Sequence, residues 1–109
     1  MHYETERILE ALSVIRITKA MPEEYEIHEA VGSALAAAGL AAEHEVRIAP
    51  RCRIDFLCGD TGIEIKKGKV TRAKLMGQCA RYLASEKLSS LIVIAPFPPS
   101  LPGANGCII

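Results

Sequence analysis

The stretch RCRIDFLCGDTGIEIKK, from Arg51 to Lys67, decides how this chain is read. Its first half alternates with the two-residue period of a strand. Cys52, Ile54, Phe56 and Cys58 fall on one side, and Arg53, Asp55 and Leu57 on the other. Gly59, Asp60, Thr61 and Gly62 form a turn signal. A second strand follows, with Ile63 and Ile65 on one side and Glu64 and Lys66 on the other. An even-numbered turn sets Asp55 opposite Lys66 and Leu57 opposite Glu64. Asp55, Glu64 and Lys66 then emerge on one face, and the apolar residues on the other.

Two carboxylates and an ammonium on one rigid hairpin have a use in physical chemistry. Asp55 and Glu64, with the backbone carbonyl of Ile65 between them, offer an all-oxygen set for a hard cation such as Mg²⁺, with Mn²⁺ as a substitute. Such a cation lowers the pKa of a bound water and neutralises phosphate charge. Lys66 is placed to stabilise charge on phosphate oxygens. The alternative is that the three residues are the solvated face of an amphipathic hairpin.

Working outward, the spacing of Ile8, Leu9, Leu12 and Ile15 predicts a helix over Tyr3 to Ala20. Its apolar stripe must bury in the chain's own core or in a dimer. A second helix runs from Pro22 to about Ala38, with Ile27, Val31, Ala34 and Leu35 on one face and Gly39 as its stop. His44 to Ile48 alternates weakly as a strand. Thr71 caps a third helix that continues to about Lys87, with Leu75, Met76, Cys79, Tyr82 and Leu83 toward the core. Leu91 to Ala95 is an apolar run, as in a strand buried on both faces. The tail from Pro96, rich in proline and glycine, reads as irregular. The division expected is an N-terminal helix over 1–21, a core over 22–95 and a tail over 96–109.

The chain has 109 residues, enough for one modest core, with 50% hydrophobic and 24% charged residues, so whole-length disorder is excluded. Its 13 basic and 13 acidic residues cancel, so phosphate attraction has to come from local clustering. Cys52, Cys58, Cys79 and Cys107 show no zinc-ligand spacing and read as reduced, buried thiols. Cys107 stands third from the end, which does not fit a prenylation box. His2, His28 and His44 also lack ligand spacing and read as surface or cap residues. The serines form no nucleophile elbow and there is no glycine-rich phosphate loop, which argues against a serine hydrolase and an NTPase. No secretory signal or membrane span is visible, so a soluble cytoplasmic protein is expected.

The segment Arg53-Ile54-Asp55-Phe56-Leu57, a glycine-containing turn and Ile63-Glu64-Ile65-Lys66 together resemble the PD-(D/E)XK nuclease superfamily, which includes restriction-endonuclease-like and Holliday-junction-resolvase-like nucleases. The resemblance covers Pro22 to Ala95. It departs from the family name at Ile54, where a proline would stand. It implies an α/β fold: a restriction-endonuclease-like αβββαβ core, a mixed central sheet flanked by helices, here with an extra N-terminal helix. It implies that Asp55 and Glu64 bind metal and that Lys66 is catalytic. A glutamate from the first core helix would join them, either Glu26 or Glu29. Gln78 matches the family's glutamine on the helix after the lysine strand. Glu45, on the neighbouring strand, would support Asp55.

Lys66, Lys67, Lys69, Arg72 and Lys74 place five basic residues within nine, without an acid among them. Arg47, Arg51 and Arg53 add to the same end of the sheet. This patch implies contact with the phosphates of nucleic acid, DNA in the first place, and no base stacking. A homodimer or a larger protein partner would supply substrate choice. The function expected is metal-dependent endonucleolytic hydrolysis of DNA phosphodiesters. The alternatives are a non-catalytic nucleic-acid-binding or assembly module that keeps the nuclease fold, and a small interaction subunit.

Overall fold

A computed structural model describes residues 5–15, 24–66, 71–94 and 106–108. Along the chain it comprises α1 (Thr5–Leu12), α2 (Glu24–Ala37), β1 (Glu43–Ala49), β2 (Cys52–Cys58), β3 (Thr61–Ile65), α3 (Arg72–Leu83), β4 (Ser90–Ile94) and β5 (Gly106–Ile108). Among the described residues the strands form one mixed sheet in the order β1-β2-β3-β4-β5. The first three strands are antiparallel neighbours, and β3, β4 and β5 run parallel. The protein is therefore a small α/β fold with helices on both faces of a mixed sheet.

Each helix end has a local cause. Gly39, at φ 74, lets α2 stop, and the Leu40 amide bonds back to the Leu35 carbonyl at 3.0 Å. Thr71 caps α3, its hydroxyl accepting from the Lys74 amide at 3.3 Å. α1 is shorter than its apolar spacing predicts. Ser13 follows it and donates its hydroxyl to the Glu10 carbonyl at 2.6 Å, competing with continued helix. α3 ends at Leu83, not near Lys87, because the next residues are drawn to β1. The Ser85 hydroxyl donates to the Ile48 carbonyl at 2.8 Å, and Lys87 Nζ to the Arg47 carbonyl at 3.2 Å.

Two apolar layers sandwich the sheet. On one side Ile8 and Leu12 of α1 and Ile27, Val31 and Leu35 of α2 pack on Phe56, Cys58, Ile63, Ile65 and Ile92. The α1 stripe thus buries in the chain's own core, with Leu9 and Ile15 packed against it. On the other side Leu75 and Tyr82 of α3, with Leu88, pack on Ile48, Ile54, Leu57, Leu91 and Val93. Met76, expected on the core side of α3, is 42% exposed, because the buried stripe runs through Leu75, Cys79 and Tyr82. A hydroxyl chain of Thr5, Ser90 and Thr61 ties α1 to the middle of the sheet at 3.0 and 2.9 Å.

The turn between β2 and β3 is even, as the apolar pattern requires, but it is shorter than the sequence signal. Gly59, at φ 65, and Asp60 suffice, and Thr61 and Gly62 already belong to β3. The register therefore sets Leu57 opposite Gly62 and Phe56 opposite Ile63. This corrects the expected pairing of Leu57 with Glu64 and of Asp55 with Lys66. The proline-rich tail also holds a strand: β5 pairs with Leu91–Val93 of β4.

Candidate active site

The β2–β3 ladder ends at Phe56 and Ile63. One residue on, the Asp55 side chain takes the place of a backbone acceptor, and its Oδ2 accepts the Ile65 amide at 2.7 Å. The strict alternation read from the sequence slips at this point. Val46 and Ile54, paired across β1 and β2, pack in the α3 layer. His44 and Phe56, paired two residues further on, lie on the α2 side with their rings stacked at 4.6 Å. Glu45 stands between them with φ 54, a left-handed conformation uncommon for a residue with a Cβ.

The expectation that Ile54 and Phe56 share one face, and that Asp55, Glu64 and Lys66 share the other, is therefore corrected. Asp55 reaches the site from the α2 side and Glu64 from the α3 side. They meet where β2 and β3 part.

Glu64 is 7% exposed. Its Oε2 accepts from Lys66 Nζ at 3.0 Å, the Tyr82 hydroxyl at 3.0 Å and Gln78 Nε2 at 3.3 Å. Among the described residues its Oε1 is buried without a hydrogen-bond partner. Burial first, and then the negative charge of Asp55, push the Glu64 carboxyl up to about 7, against the opposing pull of Lys66. Asp55 is also close enough to share a proton with Glu64. Two carboxyl groups thus stand side by side where β2 and β3 part, and Glu64 is the one whose proton is held more tightly.

Tyr82 and Gln78 hold Glu64 from α3. Gln78 Nε2 donates to the Tyr82 oxygen at 2.9 Å, and the Arg53 carbonyl lies 3.3 Å from the same hydroxyl as a second acceptor. Burial and the neighbouring Glu64 charge push the phenol pKa upward, so Tyr82 stays a donor. Gln78, expected on the helix after the lysine strand, stands on α3 and reaches Glu64. Tyr82, expected as core alone, also donates to Glu64. The one-turn spacing of Gln78 and Tyr82 on a helix face was the signal that could have joined them.

Two histidines read as surface or cap residues lie beside Asp55. His28 of α2 and His44 of β1 are linked at 3.0 Å between Nδ1 and Nε2. His28 Nε2 lies 4.0 Å from Asp55 Oδ1 and 3.8 Å from Glu24 Oε1. Together with Tyr25 and Glu45 these groups line an open cavity of about 310 Å³ beside Asp55. Glu29, one residue after His28, is exposed and does not line that cavity, and Glu26 is half-buried on α2.

Arg53 and Lys74 are exposed. Lys67 and Lys69 lie outside the described residues, as does the side chain of Arg72. Cys52, Cys58 and Cys79 are free thiols, each pushed up first by burial, which disfavours the reactive thiolate.

Among the described residues no group of three or more His, Cys, Asp and Glu side chains is assembled to hold a metal ion. A cation would rely on Asp55, Glu64 and the Ile65 carbonyl, and the orphaned Glu64 Oε1 is the observation that fits this set. No helix among the described residues is long and apolar enough to cross a membrane. No protein-family model matches the chain, and neither a curated protein nor a solved structure matches it.

Proposed function

We propose that this chain is a metal-dependent nuclease with a restriction-endonuclease-like core, hydrolysing phosphodiester bonds in DNA. The observation that carries the reading is the buried Glu64 Oε1, left without a partner beside a second carboxylate. A buried polar atom without a partner costs about 1–3 kcal/mol, and a bound cation would remove that cost.

Asp55, Glu64 and the Ile65 carbonyl would hold the ion. When bound, Mg²⁺ or Mn²⁺ supplies charge neutralisation at the phosphate and a more acidic water. Lys66, anchored 3.0 Å from Glu64, presents its ammonium to a phosphate oxygen or to the attacking water. Tyr82 and Gln78 hold the Glu64 carboxylate through Oε2, which leaves Oε1 for the ion. Lys74, Arg53 and, by sequence, Lys67, Lys69 and Arg72 supply phosphate attraction in an otherwise neutral chain.

Supercoiled plasmid incubated with Mg²⁺ or Mn²⁺ tests the proposal. The wild-type protein nicks it and EDTA stops the reaction. Asp55→Ala and Lys66→Ala lose at least about a hundredfold in rate, the loss typical of removing a group that stabilises developing charge. Equal nicking by wild type and both folded variants rejects the reading.

A further inference from the structure

We infer that the turn end of the β1–β2 hairpin is a docking rim for the phosphate backbone of duplex DNA, built by Arg47, Arg51, Arg53 and Lys87. The inference rests on the nuclease reading and extends it from the reacting centre to the surface that seats the substrate.

Arg47 and Arg53 are direct cross-strand partners in the β1–β2 ladder, and both are exposed. Like charges set directly opposite each other destabilise a sheet unless a counter-ion lies between them. Among the described residues neither arginine is paired with a carboxylate, nor are Arg51 and Lys87. Among the described residues the acids nearest in sequence, Glu45, Asp55 and Glu86, form no ion pair with them. The repulsion is thus left uncompensated among the described residues.

The rim is also held in place. Lys87 Nζ donates to the Arg47 carbonyl at 3.2 Å, which fixes the ammonium at the strand edge. Arg47, Ile48, Ala49, Pro50 and Lys87 line a shallow cavity of about 280 Å³ there. Arg51 takes φ 59 in the turn between β1 and β2, a left-handed conformation unusual for a residue with a side chain. Arg53 links the rim to the reacting centre, because its carbonyl lies 3.3 Å from the Tyr82 hydroxyl that donates to Glu64. Arg53 and Asp55 are two steps apart along β2, with Ile54 between them, roughly 7 Å, so a strand seated on the rim continues into the acidic site. No aromatic side chain belongs to the rim, which favours the paired backbone of a duplex over stacked single-strand bases.

The test is binding of a labelled DNA duplex by fluorescence anisotropy in EDTA, across a series of salt concentrations, with the full chain. The Arg47→Gln/Arg53→Gln double variant binds at least about tenfold more weakly. Its slope of log K against log salt flattens by about 1.8, the value for two lost phosphate contacts. Its Tm is unchanged or higher, because the like-charge pair is gone, and its Mn²⁺ affinity matches wild type. A double variant with wild-type affinity and slope overturns the inference. Should the double variant melt early, Lys87→Gln decides in the same way, with an expected loss of about 0.9 in slope. Plasmid nicking is scored separately. Nicking that persists while the rim variants bind normally removes the rim and leaves the nuclease. Rim-dependent binding without metal-dependent nicking removes the nuclease and leaves the rim.

Discussion

Asp55 Oδ2 accepts the backbone amide of Ile65 at 2.7 Å, so a side chain closes the β2–β3 ladder where a carbonyl would ordinarily do so. This bond aims the carboxylate into the gap between the strands and sets it beside Glu64. Asp55→Ala removes both a charge and a half-buried acceptor. It should lower stability by about 1–3 kcal/mol in denaturant melts, the cost of leaving the Ile65 amide without its partner. Asp55→Asn keeps an acceptor oxygen at that position and should recover most of the stability while remaining inactive. Equal stability losses for the two variants would contradict this role.

The raised Glu64 pKa makes stability depend on pH. Its folded value, about 7, lies above the ordinary 4.5, so the native protein holds this proton more tightly than the unfolded chain does. The contribution is complete below about pH 4.5 and is lost as pH rises through about 7. In EDTA the wild type should therefore be less stable at pH 8 than at pH 5 by about 3 kcal/mol at most, from this group. Glu64→Gln removes the titration, and its Tm should vary less over that window. Parallel pH profiles for the two proteins would contradict the shift.

Metal uptake should displace the same proton. Mn²⁺ affinity, measured by calorimetry, should fall about tenfold for each pH unit below 7, and close to one proton should be released per ion bound at pH 6. Affinity independent of pH from 5.5 to 7 would show that the ion binds elsewhere.

Tyr82→Phe removes one donor from Glu64 Oε2 and leaves Lys66 and Gln78 in place. The cost in stability should be about 1 kcal/mol. The cleavage rate should fall while Glu64 titrates higher, moving the acidic limb of the pH–rate profile upward. A rate loss without that movement would make Tyr82 a packing residue only.

Much of the fold was legible because its causes are local. Thr71 and Gly39 act within a few residues of their effects. The slip at Asp55 was not legible, since the pattern from Arg53 to Phe56 fits either face and the packing of α2 and α3 decides it. The histidines escaped for a similar reason. His28 and His44 are 16 residues apart and meet only because α2 lies over Phe56, which approaches Gly32 one turn beyond His28. β5 was hidden because a three-residue strand takes its order from β4, not from its own proline- and glycine-rich surroundings.

The most direct test of the metal centre is anomalous diffraction from crystals soaked in Mn²⁺. A single strong peak is expected between the carboxylates of Asp55 and Glu64, within coordinating distance of both and of the Ile65 carbonyl, and absent in Glu64→Gln. A soaked, well-ordered wild-type crystal with no peak there, or with a peak that persists in the variant, would contradict it.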